Sequence, residues 1–100
     1  MTTDPFFRLI VEDVFGIVKR GTVVTGKIEA GTLKAVDQVM LRSKSGEKTT
    51  VVTSIESFRK VVEEANAGDR VGLLLKDISR GDVRRGDEIL SPGPDFSWKP

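Results

Sequence analysis

Cysteine and histidine are both absent from the 100 residues. Their absence removes disulfides, thiolate and imidazole metal sites, and every catalytic triad built on His or Cys. No other nucleophile–base pair stands out, so the chain is expected to be non-catalytic, with neither metal nor cofactor. Long apolar runs are missing too, and none approaches membrane length. Met1-Thr2-Thr3-Asp4 has no signal-peptide character, and a cytoplasmic location is expected. Charge of one sign is lacking: Lys and Arg total 16 against 15 Asp and Glu. Net charge therefore gives no pull toward a polyanion, and any nucleic-acid role must rest on a local patch.

What remains is the composition of an ordinary soluble protein, 38% hydrophobic and 31% charged. A chain of this length forms one domain and buries roughly 65% of its unfolded surface, enough for an independent core. The chain is organised around residues 19–31, KRGTVVTGKIEAG. Thr22, Val23, Val24 and Thr25 are β-branched, and their stiff χ1 preferences suit a pleated strand. Gly21, Gly26 and Gly31 punctuate the run, as glycine does at bulges, bends and close backbone approaches. The pattern predicts a long strand over 22–29, coiled at Gly26 and turning at Ala30-Gly31. Such bending suits a small closed barrel.

The same stretch contains a partial phosphate-loop match, G-x-x-x-x-G-K over Gly21–Lys27. The motif next requires Ser or Thr for magnesium, and Ile28 stands there. It also needs a helix to follow, so that phosphate meets a helix N-terminus. The β-branched interior and the absence of a helical pattern favour a strand, so no nucleotide site is expected.

Along the chain, 5–15 reads as an extended apolar segment, and 16–19 as a turn. Residues 30–33 form a tight connection. Strands are predicted over 37–42, 48–58, 70–76 and 86–91, with a polar hairpin turn at 44–47. Residues 59–66 read as a strand ending in the turn Ala67-Gly68-Asp69, and 79–84 as one 3₁₀ turn. Six or seven strands without a long helix predict an all-β, closed antiparallel barrel. The expected core is Ile10, Val14, Val24, Ile28, Val39, Leu41, Val51, Ile55, Val71, Leu73, Leu75 and Ile89, with Thr50 at the surface. Three of the four prolines lie in 92–100, so the barrel is assigned to 1–91 and a tail or linker to 92–100. Phe96 and Trp98 in that tail read as groups that dock on the barrel or on a partner.

Val11-Glu12-Asp13-Val14-Phe15, RGTVVTG (20–26), Ile55-Glu56-Ser57-Phe58-Arg59-Lys60, AGDRVGLLL (67–75) and the closing RGD and ILSPG together resemble the second domain of elongation factor Tu. The likeness runs from Pro5 to Gly93 in order and spacing. It implies a Greek-key β-barrel, here as a stand-alone relative or an excised domain. It implies a binding module of translation that holds the aminoacylated 3′ end of tRNA, packs on a GTPase domain and faces ribosomal RNA. By the resemblance, Glu56 lies against the terminal adenine and Arg59 beside the terminal ribose and ester. Ile17, Val23 and Leu74 wall the adenine pocket, while Glu12, Asp13, Phe15 and Thr25 lie near the amino acid. Two positions depart from the family pattern. Arg70 replaces an Asn in AGDNVG, and Lys19 replaces a Gly before RGTVVTG, so each adds a long cation at the lip of the pocket.

The residues themselves also admit plainer roles. Glu56 and Arg59 read equally as an exposed ion pair, Glu12-Asp13 as a solvated strand end, and Ile17, Val23 and Leu74 as packing. Two functions follow: an RNA-binding module contacting a tRNA acceptor end or ribosomal RNA, and a protein-interaction barrel docking on a GTPase domain supplied in trans. Packing of exposed base faces and contacts to 2′-OH and phosphate are how single-stranded ends are held.

Overall fold

The computed structural model describes residues 6–17 and 21–92. Lys19, the side chain of Ile17 and residues 93–100, with Phe96 and Trp98, lie outside the described residues. The β-branched segment forms β2 (Gly21–Ala30), the centre of the architecture. It pairs antiparallel with β1 (Arg8–Ile17) on one side and β8 (Arg70–Leu75) on the other. Residues 21–27 therefore spend their amides on sheet ladders rather than on a phosphate cradle, as their β-branched content predicts.

The remaining elements are β3 (Thr32–Lys34), β4 (Gln38–Ser43), β5 (Gly46–Ser57), β6 (Lys60–Val62), β7 (Glu64–Asn66), a 3₁₀ turn (Arg80–Asp82) and β9 (Glu88–Leu90). The strand order is β4-β9-β1-β2-β8-β5-β6, and β4 also pairs with β5. Six strands thus close into an antiparallel barrel, with β6 added on the outer side of β5. The length of β5 makes closure possible. Its first half pairs with β4 and its second with β8. Among the described residues no helix is long and apolar enough to cross a membrane.

Differences from expectation lie at element ends. Residues 59–66 divide at Glu63 into β6 and β7, which belong to different sheets. Thr32 and Leu33, read as part of a connection, belong with Lys34 to a strand paired with β7. Gly31 does turn the chain, at φ 79°, and a side chain there would strike the backbone of Phe7. Gly26 lies where β1 and β2 press together, and a Cβ would strike the Ile10 carbonyl.

Inside the barrel lie Leu9, Val11, Val24, Ile28, Val39, Leu41, Val52, Ile55, Leu73, Leu75 and Ile89, each 0–1% exposed. Three expected core residues, Ile10, Val14 and Val51, are only half-buried, and of these Ile10 and Val51 point away from the core. The cause is a pair of register shifts, one between Val11 and Asp13 in β1 and one between Val52 and Ser54 in β5. Each shift reverses which alternate residues face inward. Leu9 and Val11 face inward before the first shift, and Val14 packs against the core after it. Thr50 and Val52 face inward before the second. Thr50 is accordingly buried, not exposed, and its hydroxyl donates to the Lys76 carbonyl at 2.5 Å. Phe7, Leu33, Ala65, Ile78 and Val83 complete the core from turns and short strands.

Outside, a ladder of alternating charge crosses five strands. Arg8 binds Glu29 at 2.7 Å and Glu88 at 2.6 Å; Arg42 lies 3.5 Å from Glu88 and 3.0 Å from Glu47. The hydrogen bond to Glu88 raises the pKa of Arg8.

Candidate functional site

Register alone brings most of the expected site residues together. On the outer face, Phe15 of β1 lies opposite Val23 of β2, Val23 opposite Leu74 of β8, and Leu74 opposite Ser54 of β5. The adjacent row runs Asp13, Thr25, Gly72, Glu56 and Val61. Outward-facing side chains on neighbouring rows share one surface. Val23, Thr25, Leu74 and Ser54 are half-buried, whereas Asp13, Phe15 and Glu56 are exposed.

Gly72 sits at the centre of this surface. A Cβ there would meet only Val23 Cγ1 at 3.5 Å and Thr25 Cγ2 at 3.8 Å, ordinary contact distances. With no side chain of its own, Gly72 leaves the backbone bordered by Val23 and Thr25, with Leu74 two residues along β8 and Glu56 opposite on β5. Gly72, Ser54 and Val61 were not singled out in the sequence. The signal for Gly72 was present in alternation, since Arg70, Gly72 and Leu74 share one face of β8, whereas the shift at Val52/Ser54 hides Ser54.

Arg59 stands apart from this floor. With Phe58 it forms the two-residue turn between β5 and β6, and both have positive φ, 53° and 65°. Two-residue hairpin loops favour such angles because they match strand twist, but Asn and Gly usually supply them. A bulky aromatic there is strained. Phe58 is 88% exposed, so packing of the ring does not explain the strain. Among the described residues, Glu56 and Arg59 form no ion pair with each other.

Arg70 does not stand free at the lip. It spans β2 to pair with Glu12, Nη1 to Oε1 at 2.5 Å. Glu12 is the extra residue at the register shift of β1, which turns its side chain outward. Its neighbour Asp13 pairs with Arg85 at 3.1 Å. Glu12 and Asp13 each carry an ion pair, the first to β8 and the second to the turn before β9, and both stay exposed to solvent. Ile17 aligns with Gly21 at the far end of β1.

Together these features define a small closed β-barrel whose outer face sets half-buried apolar side chains around Gly72 among polar and charged groups. The family model of elongation factor Tu domain 2 matches residues 21–90, and the chain belongs to that family. The match takes in β2 through β9, and with them the Gly72 face and the Phe58-Arg59 turn.

Proposed function

We propose that this chain is an RNA-binding module of the translation machinery, and that the face centred on Gly72 holds the single-stranded 3′ end of an aminoacylated tRNA. The observation that carries this reading is the register that sets Val23, Leu74 and Glu56 around Gly72, a position without a side chain. This arrangement offers two half-buried apolar side chains, Val23 and Leu74, with the exposed carboxylate residue Glu56 on the neighbouring row. A terminal adenine can pack one face on these side chains while its ribose hydroxyls donate to Glu56. Arg59 supplies a cation beside the phosphates from the adjoining turn. Such recognition is shape- and stacking-based rather than base-pair-based. A cytoplasmic setting accompanies this reading.

A half-site open to solvent binds weakly, because it neither encloses its ligand nor excludes water. The test is titration with a short RNA ending in CCA, followed by amide NMR shifts. Shifts clustered at Val23, Glu56, Arg59, Gly72 and Leu74, reduced by salt and by Arg59→Ala, support the proposal. Shifts that are absent at millimolar RNA, or spread evenly over the surface, overturn it.

One observation favours a second reading, a barrel that docks on a GTPase domain in trans. Phe15, Phe58 and Val61 are 54%, 88% and 75% exposed on or beside the same face. Large exposed apolar groups in proximity mark protein contacts. Co-purification of a protein that survives RNase, and is lost with Phe58→Ser, favours docking over RNA.

A further inference from the structure

Cations gather around one exposed serine. Ser45 and Lys44 make the two-residue turn between β4 and β5, which the pair Ser43 and Gly46 closes. Arg42 lies three residues before Ser45, and Lys44 lies one before it. No other Ser or Thr in the sequence follows an Arg at a spacing of three. Charge placed in this way ahead of a hydroxyl is a pattern by which protein kinases select substrates.

Other hydroxyls of the barrel are committed to the fold. Thr22 donates to the Ile78 carbonyl and Thr50 to the Lys76 carbonyl, each at 2.5 Å. Thr53 donates to the Leu74 carbonyl at 3.2 Å. Among the described residues, the Ser45 hydroxyl meets only the Ser43 hydroxyl, at 3.1 Å. Ser43 has another acceptor, the Gly46 carbonyl, at 3.3 Å. The turn therefore keeps its own bond when Ser45 is altered, and Ser45 is exposed.

The surroundings suit a phosphate on this serine. Ser45 lines a groove of about 560 Å³ that the β4–β5 turn shares with the loop leading into β9. Five cations line it against three carboxylates, an excess of two positive charges. The carboxylates are engaged: Glu88 by Arg8 and Arg42, Asp87 by the Arg84 N–H, and Asp82 by Lys48 and the Ser79 N–H. Among the described residues, the Lys44 and Arg84 side chains have no carboxylate partner. Arg85 pairs with Asp13 yet stays 78% exposed. A phosphoserine carries about −1.5 to −2 charge at pH 7, which matches that excess, and its oxygens form charge-assisted bonds to nearby guanidinium groups.

We propose that Ser45 is a phosphorylation site for an Arg-directed protein kinase, and that its phosphate binds Arg84 across the groove, tying the β4–β5 turn to the loop before β9. In the transfer, the Ser45 Oγ bonds to the γ-phosphorus of ATP held by the kinase. The bond from that phosphorus to the β–γ bridging oxygen breaks, ADP leaves with the electron pair, and the hydroxyl proton passes to the base of the kinase. The modification cancels the positive charge of the groove. The inference is independent of the Gly72 face.

The test treats the full folded chain with magnesium ATP and the catalytic subunit of the cAMP-dependent kinase, an Arg-directed enzyme. Intact mass should show one added phosphate on the wild type and none on Ser45→Ala. Arg42→Ala should slow the reaction several-fold, and matching melting curves confirm that both variants fold. The clamp is read by ³¹P NMR on the chain with phosphoserine at position 45, made by the kinase or by genetic incorporation. The second phosphate pKa should lie about half a unit or more below that of a phosphorylated 42–48 peptide, since a guanidinium favours the dianion. Arg84→Ala should return it to the peptide value. A folded chain left unmodified while the peptide reacts, or a phosphate found on another residue, overturns the site. A phosphate pKa equal to that of the peptide, or unmoved by Arg84→Ala, overturns the clamp.

Discussion

Arg70 and Glu12 close one end of the Gly72 face by reaching over β2 to each other, guanidinium to carboxylate at 2.5 Å. The pair is solvent-exposed, 67% and 44% at the two side chains, so it contributes little to stability. Its effect is on the site, because it occupies the cation that the sequence places at the lip.

Glu12→Gln separates the two effects. Unfolding free energy should change by less than about 1 kcal/mol. Affinity for RNA ending in CCA should rise, and its salt slope steepen by about one, as Arg70 becomes free to meet a phosphate. An unchanged slope, measured by anisotropy at several salt concentrations, would show that Arg70 does not reach the bound strand.

Buried positions on β5 and β8 give a stability prediction. Leu73→Ala should destabilise by roughly 2–5 kcal/mol through the cavity it leaves. Thr50→Ala should cost about 1–3 kcal/mol, since the Lys76 carbonyl loses its buried donor. Thr49→Ala, one residue away and exposed, should stay within about 0.5 kcal/mol. Urea melts that fail to separate Thr50 from Thr49 would contradict the inward placement of Thr50.

Strain in the β5–β6 turn predicts an opposition between stability and binding. Replacing Phe58-Arg59 by Asn-Gly supplies residues that tolerate positive φ, and should stabilise by about 1–2 kcal/mol. The same replacement removes the Arg59 cation and should weaken RNA binding. A variant that is destabilised would mean that Phe58 packs on something in solution.

Asp82 gives a pH prediction with a defined sign. Its carboxyl falls from an ordinary 3.8 to about 2 because the Ser79 N–H and Lys48 favour the charged form. A carboxyl depressed in the folded state adds stability above its unfolded pKa and loses it as pH falls through the folded one. The stability gap between the wild type and Asp82→Asn should therefore shrink between about pH 4 and pH 2. A constant gap across that window, measured by thermal melts, would remove Asp82 from the acid response.

Much of this architecture is legible in the residues. The β-branched run 22–25 and the alternation in 70–75 place β2 and β8, and with them Val23, Thr25 and Leu74 on one face. Ile10, Val51 and Thr50 show where the reading fails. Period-two alternation assumes an unbroken pleat, and the shifts at Val11/Asp13 and Val52/Ser54 break it within single strands. Neither shift has a glycine or proline of its own to announce it. Ion pairing is equally hidden. Arg70 and Glu12 are 58 residues apart, and only the barrel's closure brings them within reach.

The position of β9 carries a consequence for how the barrel forms. It lies between β1 and β4, so Arg8 and Glu88 meet across a separation of 80 residues. Closure must wait until nearly the whole described chain has been gathered, and the loop entropy is lost before these contacts repay it. Folding on a scale of milliseconds to seconds is expected, as for barrels rich in distant pairings. Until β9 enters, β1 and β4 present unpaired edges that can take a strand from another molecule. Refolding yield should therefore fall as protein concentration rises, and a peptide covering β9 should compete for the gap.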